Sequence, residues 1–376
     1  MVKHIYLIAG EESGDFIGAQ LMKAIRAQAP DTIFSGVGGR LMEEQGLESL
    51  FPMTDLSVMG FSEVLPRLNL LIKRIKQTSD NIVESKPNVV VTIDAPDFSF
   101  RVIKRVKKKS EIEPKFVHYV APTVWAWRPK RAKKVAKFLD AMLCLFDFEP
   151  PYFEKEGLNA VAVGHPMMES GVLKAREATI GAPDTHKIGV FFGSRQGEIK
   201  RISSVLLETM KKVESEKDKV EFIVPTLPYL KDQITELVKD INAPVHVMTG
   251  DDNKWSVFKA CDVALAVSGT VGLELAVANV PHVIAYKMNP LTAMIVRRLV
   301  KTPFAHLANI MMDYEVVPEF IQEDCTAEDV SAELLALLET PNNQRDQTDA
   351  FIKLREKMGS LEAPSKNAAD YILRLT

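Results

Sequence analysis

Short runs of β-branched and other apolar residues recur along the chain at residues 5–9, 33–37, 89–93, 116–120, 141–145 and 160–163, separated by longer stretches of helical periodicity. Polar alternation is missing from these runs. They therefore predict strands buried on both faces, with the helical stretches covering a parallel sheet. Polarity rises over Gly181-Ala182-Pro183-Asp184, and the pattern then restarts at residues 187–192, 221–224, 245–248, 262–267 and 282–286. The expected fold is α/β, with two Rossmann-like, doubly wound parallel-sheet domains whose strand ends face a shared cleft. Residues 326–375 read as three helices without a strand. The expected domains are residues 1–175, residues 185–325 and a helical tail, 326–376, packing back on the first domain or on a neighbouring subunit.

Length and composition agree with this picture. A chain of 376 residues exceeds what one hydrophobic core usually serves, and 46% hydrophobic with 26% charged residues describes an ordinary globular protein. Through Ala175 there are 24 basic and 21 acidic residues, and after it 23 and 29, so halves of +3 and −6 make up the net −3. That asymmetry is too mild for a dedicated nucleic-acid protein, and it suits a first domain that approaches an anionic surface. Cys144, Cys261 and Cys325 are too scattered for a zinc site and suggest reduced, buried thiols in a cytoplasmic protein. The apolar start gives way to Glu11 and Glu12 too soon for a signal peptide, and no apolar stretch is long enough to span a bilayer.

Chemistry concentrates at the ends of predicted strands. The first junction, Ala9-Gly10-Glu11-Glu12-Ser13-Gly14-Asp15, reads as a tight turn in which Ser13 or Asp15 is placed to cap the next helix. It lacks G-x-G-x-x-G, which disfavours a nicotinamide or flavin cofactor. The third strand ends in Ile93-Asp94-Ala95-Pro96-Asp97, where Asp94 reads as a general base or as a simple cap. Gly193-Ser194-Arg195-Gln196-Gly197-Glu198 and Ser268-Gly269-Thr270-Val271-Gly272-Leu273-Glu274 each lead from a strand into a helix. Two such amide-rich turns in one domain favour a diphosphate, which Arg195 can neutralise; the plainer reading of the first is a turn with an exposed arginine. Neither ends in G-K-[ST], so nucleotide hydrolysis is not expected. Glu274, one turn beyond Thr270, reads as an acceptor for ribose hydroxyls or as an ordinary first-turn glutamate.

Residues 60–76 place Phe61, Leu65, Leu68 and Leu71 at helical spacing with Arg67 and Arg74 beside them, in a helix expected to start at Pro66. A basic amphipathic helix of this kind contacts a bilayer or acyl chains, or it faces the core with a solvated basic edge. A second basic segment, from Trp125 to Lys134, suits an anionic lipid as well as it suits nucleic acid.

These segments together resemble the lipid-A-disaccharide synthase family of inverting glycosyltransferases. The matching pieces, in order, are AGEESGD at Ala9, VMGFSEVL at Val58, IDAPDF at Ile93, HYVAPTVWAWR at His118, VGHP at Val163, GSRQGEI at Gly193 and SGTVGLE at Ser268. The resemblance implies a GT-B-like fold and transfer of 2,3-diacylglucosamine from UDP-2,3-diacylglucosamine to the 6-hydroxyl of 2,3-diacylglucosamine 1-phosphate. It implies Asp94 as general base, Arg195, Glu198, Ser268, Gly269, Thr270, Glu274 and Asn309 around the nucleotide, and Ser13, Gly14 and Asp15 as candidates for the acceptor side. It implies no metal and no cofactor, no nucleic-acid partner, peripheral attachment to the inner face of the cytoplasmic membrane, and leaves a homodimer open. Two positions depart from the family pattern: Ala308 stands where proline is usual, and Ser99 where asparagine is frequent. A UDP-sugar 2-epimerase shares the expected architecture, and a non-catalytic nucleotide-sugar or lipid-binding protein is the rival from another class.

Overall fold

The computed structural model describes residues 3–376 except 57–60, 110–113, 126–127, 251–252, 291–292, 295–296, 298–301 and 360–362, and for 61–66 it describes the backbone alone. The chain divides into two compact units, one of Met1–Glu169 with Met358–Thr376, the other of Ser170–Lys357.

The first unit holds strands β1 (His4–Ala9), β2 (Ile33–Val37), β3 (Val89–Ile93), β4 (Lys115–Tyr119), β5 (Ala141–Cys144) and β6 (Asn159–Ala162). They alternate with helices α1 (Glu12–Gln28), α2 (Arg40–Glu44), α3 (Phe61–Ser85), α4 (Pro96–Lys109), α5 (Lys130–Val135) and α6 (Pro151–Glu154). The six strands are parallel in the order β2-β1-β3-β4-β5-β6. Every residue of β3 is buried, which is why its sequence, Val-Val-Val-Thr-Ile, carries no polar alternation. The order reverses between β1 and β3, and the carboxyl ends of two such strands open the crevice in which doubly wound sheets bind ligands.

The second unit repeats the plan with β7 (His186–Phe191), β8 (Val220–Pro225), β9 (Val245–Met248), β10 (Val263–Ala266), β11 (His282–Tyr286) and β12 (Glu319–Ile321), and with helices α7 (Gln196–Glu216), α8 (Lys231–Val238), α9 (Lys254–Lys259) and α10 (Thr270–Ala278) among its covers. Its order is β12-β11-β10-β7-β8-β9, again parallel, with the reversal between β7 and β10. The short strand β12 was not foreseen from the apolar pattern.

Two expectations need correction. Helix α3 begins at Phe61 rather than at Pro66, which sits inside it as the sixth residue. A proline there forgoes the bond its N–H would donate to the carbonyl of Ser62. The C-terminal helices do not pack as one block. Helix Ala327–Glu339 buries Val330, Leu334, Leu335 and Leu338 in the core of the second unit. In helix Pro341–Met358, Phe351 stacks on His282 at 5.3 Å, and Gln347 bonds both backbone groups of His282. Only helix Pro364–Arg374 joins the first unit, where it packs on α1.

Candidate functional site

The first unit brings Gly10, at the end of β1, against the residues that follow β3. A side chain on Gly10 would lie 2.8 Å from Cβ of Ala95, so the close approach requires glycine. Asp94 and Ala95 both have left-handed backbones, with φ 51° and 43°. Such residues cost about 1–3 kcal/mol each and persist only where their surroundings over-determine them. The turn is held by the Asp94 N–H donating to Tyr119 O at 3.0 Å and by Ser99 Oγ donating to Asp94 O at 3.2 Å. Ser99, one of the two departures from the family pattern, thus anchors the turn that carries Asp94. Asp94 itself is half-buried on the carboxyl edge at the switch point.

Behind this turn lies a buried pair to which the sequence motifs assign no role. Thr92 Oγ1 lies 2.7 Å from Nδ1 of His118, which is fully buried against Phe100. Burial, reinforced by the nearby Arg131 charge, lowers the imidazole to about 3, so it is neutral at physiological pH.

Ser13, Gly14 and Asp15 fall in the first turn of α1, and no side chain caps that helix. Asp15 is fully buried and turned the other way. Its carboxylate accepts from the N–H groups of Gly39, Leu41 and Met42 at 2.8, 2.9 and 3.0 Å, tying the start of α2 to α1. Desolvation raises its pKa and the three backbone bonds oppose that rise. Its role is thus to fix the loop beside the crevice, because N–H groups at the start of α2 claim its oxygens.

At the second switch point, α7 follows β7 and α10 follows β10, and neither helix N-terminus carries a side-chain cap. Elsewhere in the unit Thr326 caps its helix by accepting from the Asp329 N–H. Gly269 has φ 148° with nothing within 4 Å of where a side chain would start, so the turn before α10 is open toward solvent. An uncapped N-terminus behind an open glycine turn is a seat for an anion. Arg195 is half-buried and donates to Glu198 at 2.9 Å, so the guanidinium is held at the start of α7 by a nearly buried carboxylate. Glu274 is engaged at 2.6 Å by Lys254 of α9, a residue not foreseen, whose ammonium also lies over Trp255.

Asn309 does not reach outward. It is fully buried; its amide donates to Val317 O and Glu319, and its carbonyl accepts from the N–H groups of Val316 and Val317. All of its ordinary hydrogen-bonding capacity is internal. It ties helix Leu307–Met312 to β12 instead of facing a nucleotide.

On α3, Phe61 and Leu65 lie outside the residues whose side chains are described. Leu68 and Ile72 are exposed at 39% and 54%, with Arg67 exposed beside them. Leu71 packs instead on the core, and Arg74 is paired with Asp55 at 2.6 Å over the ring of Phe51. Arg74 is therefore a bracing residue rather than part of an outward basic face. Among the described residues no helix is long and apolar enough to cross a membrane, and no group of three His, Cys, Asp or Glu is arranged to hold a metal.

A further cluster sits beyond β4 and β5. Glu149, 3% exposed, accepts from the N–H groups of Leu145 and Phe146 at 3.0 and 3.1 Å and from Trp125 Nε1 at 3.4 Å. Phe148 packs edge-on against Trp125 and stacks on Phe146. Burial pushes the Glu149 carboxyl up to about 7.

Comparison with known proteins gives this arrangement a family. The family model described as lipid-A-disaccharide synthetase matches residues 5–372. The chain is 43% identical over 378 residues to the lipid-A-disaccharide synthase of Rhodospirillum centenum, covering 99% of this chain and 94% of that one. It is 40% identical to the synthase of Paramagnetospirillum magneticum, covering 98% and 96%. A structure of S. aureus MnaA with UDP superposes with a TM-score of 0.64 at 13% identity, covering 100% and 98%, a likeness of fold alone. With two doubly wound sheets of the GT-B kind and a match along nearly its whole length, the chain belongs to the lipid-A-disaccharide synthase family of glycosyltransferases.

Proposed function

We propose that the chain transfers 2,3-diacylglucosamine from UDP-2,3-diacylglucosamine to the 6-hydroxyl of 2,3-diacylglucosamine 1-phosphate, forming a β(1→6) disaccharide 1-phosphate and UDP. Asp94 takes the proton of the 6-hydroxyl as the oxygen attacks the anomeric carbon, and the bond from that carbon to UDP breaks with inversion. The charge that develops on the leaving UDP is met by the N-termini of α7 and α10 and by Arg195, fixed dipoles and a fixed cation that need no rearrangement. Lys254 and Glu274 form a paired polar wall beside that turn and offer a donor and an acceptor to the ribose. The acceptor's 6-hydroxyl is met by the first unit, where Asp94 follows β3. Leu68, Ile72 and Arg67 on the outward side of α3 meet the bilayer from which acylated substrates come.

The observation that carries this reading is the left-handed turn at Asp94, which holds a carboxylate at the switch point at a cost in backbone strain. Asp94→Asn is expected to lower disaccharide formation by about 10²–10⁴-fold, followed by mass spectrometry, while UDP affinity by calorimetry changes little. Turnover close to that of the unaltered protein would remove Asp94 from the mechanism. Conversion of the UDP-sugar without any acceptor would favour an epimerase instead.

A further inference from the structure

A cavity of about 570 Å³ opens on the carboxyl side of β11 and β12, wholly within the second unit and within the size range of small-molecule sites. Its wall carries Arg201 from α7, Lys287 and Met288 from the residues after β11, and Ala293, Met294 and Arg297. The floor is fixed: Gln322, just past β12, accepts from the Met288 N–H at 3.0 Å and donates back to Met288 O at 3.4 Å, while its own N–H donates to Tyr286 O. The loops after the two strands are thereby stitched together.

The charges in this wall do not balance. Arg297 is paired with Glu323, the one acidic residue of the lining. Arg201 and Lys287 have no ion pair among the described residues, and the buried Nε of Arg201 has no hydrogen-bond partner. Two uncompensated cations therefore face one cavity. An ion carrying close to two negative charges on clustered oxygens matches them, and a phosphate monoester is such an ion near neutral pH. The rest of the wall is apolar and adaptable, with Met288, Ala293 and Met294, the last half exposed. Inorganic phosphate has nothing to place there, whereas a hydrocarbon chain does.

We propose that this cavity is a subsite for a phosphate monoester borne on an acylated molecule, with the phosphate between Arg201 and Lys287 and an acyl chain along Met288, Ala293 and Met294. Two sources carry that chemistry, an acylated sugar phosphate and a phosphatidic-acid headgroup. The first source rests on the transferase reading above; the second does not.

The test uses the full chain and titrates dihexanoyl phosphatidic acid, dihexanoylglycerol and inorganic phosphate by calorimetry against the unaltered protein, R201Q, K287Q and the double variant. Phosphatidic acid is expected to bind at least about tenfold more tightly than either fragment, and each substitution to weaken it about tenfold, as charge-assisted bonds imply. UDP affinity and melting temperature serve as controls for folding, since neither residue lies in the turns at Arg195 or Ser268. A higher KM for the acylated sugar 1-phosphate in the double variant, with unchanged binding to vesicles containing phosphatidic acid, identifies the sugar source; the reverse identifies the lipid. Equal binding of phosphatidic acid to the double variant, or of dihexanoylglycerol and phosphatidic acid to the unaltered protein, would overturn the subsite. Probe binding that depends on Arg201 and Lys287 in a protein that forms no disaccharide sinks only the transferase reading. Normal transfer with probe binding indifferent to both residues sinks only this one.

Discussion

Replacing Glu149 with glutamine isolates one buried ionisation in the first unit. In the folded protein the carboxyl is 3% exposed and titrates at about 7, against an ordinary value of 4.5, because burial outweighs the N–H donors of Leu145, Phe146 and Trp125. A carboxyl whose folded pKa is raised binds protons in the folded state before the unfolded chain does. Its contribution to stability therefore grows as pH falls through 7 and levels off below 4.5. The amide of the E149Q variant has no such dependence. One pH unit between the folded and unfolded pKa is worth about 1.36 kcal/mol, so the stability difference between E149Q and the parent should move by roughly 2.5 kcal/mol between about pH 8 and pH 5. At the alkaline end the amide relieves a buried charge, so the variant is relatively better there; at the acid end the parent regains the advantage. Urea melts followed by circular dichroism across this range measure the difference, and contributions common to both proteins cancel, including those of the buried histidines. Parallel stability curves, diverging by less than about 0.5 kcal/mol over the range, would refute the assignment of a buried, protonatable Glu149.

Gly269→Ala puts a Cβ on a backbone at φ 148°; strain rather than collision costs about 1–3 kcal/mol, and relief of that strain moves the amides before α10. UDP affinity by calorimetry should fall at least about tenfold, and an unchanged affinity would separate this turn from the diphosphate. Asn309→Ala strands the buried N–H groups of Val316 and Val317 and should cost about 3 kcal/mol in a denaturant melt; a loss of UDP affinity without a loss of stability would contradict its bracing role. Leu68→Ser with Ile72→Ser removes two exposed apolar side chains and should weaken sedimentation with anionic vesicles by roughly 100-fold while leaving the melting temperature nearly unchanged. Undiminished sedimentation would move the bilayer contact away from this face of α3.

The linear pattern is enough to read the two sheets, because a strand buried on both faces must be apolar throughout, as in Val89–Ile93 and Val263–Ala266. It is also enough to find the turns at Asp94, Gly193 and Ser268, since glycines and short polar residues between a strand and a helix are local signals. Strand β12 escapes because three residues at a sheet edge, Glu-Phe-Ile, carry too little apolar sequence to stand out. The start of α3 differs from expectation because a proline reads as a boundary, whereas this helix tolerates the missing N–H of Pro66 within its second turn.

The linear pattern supplies the strand-to-helix turns from which most candidate site residues are drawn, and their order along the chain. Tertiary structure decided which of those residues are available. Asp15 and Asn309 carry suitable chemistry, yet backbone N–H groups outside their own helices claim their oxygens. Arg74 is drawn to Asp55 across 19 positions, whereas Lys254 reaches Glu274 across 20 and so joins a candidate site residue to which no local motif ties it. Hydrogen-bonding capacity is finite, and which distant group reaches a side chain first depends on strand order and helix packing, which a linear pattern does not contain.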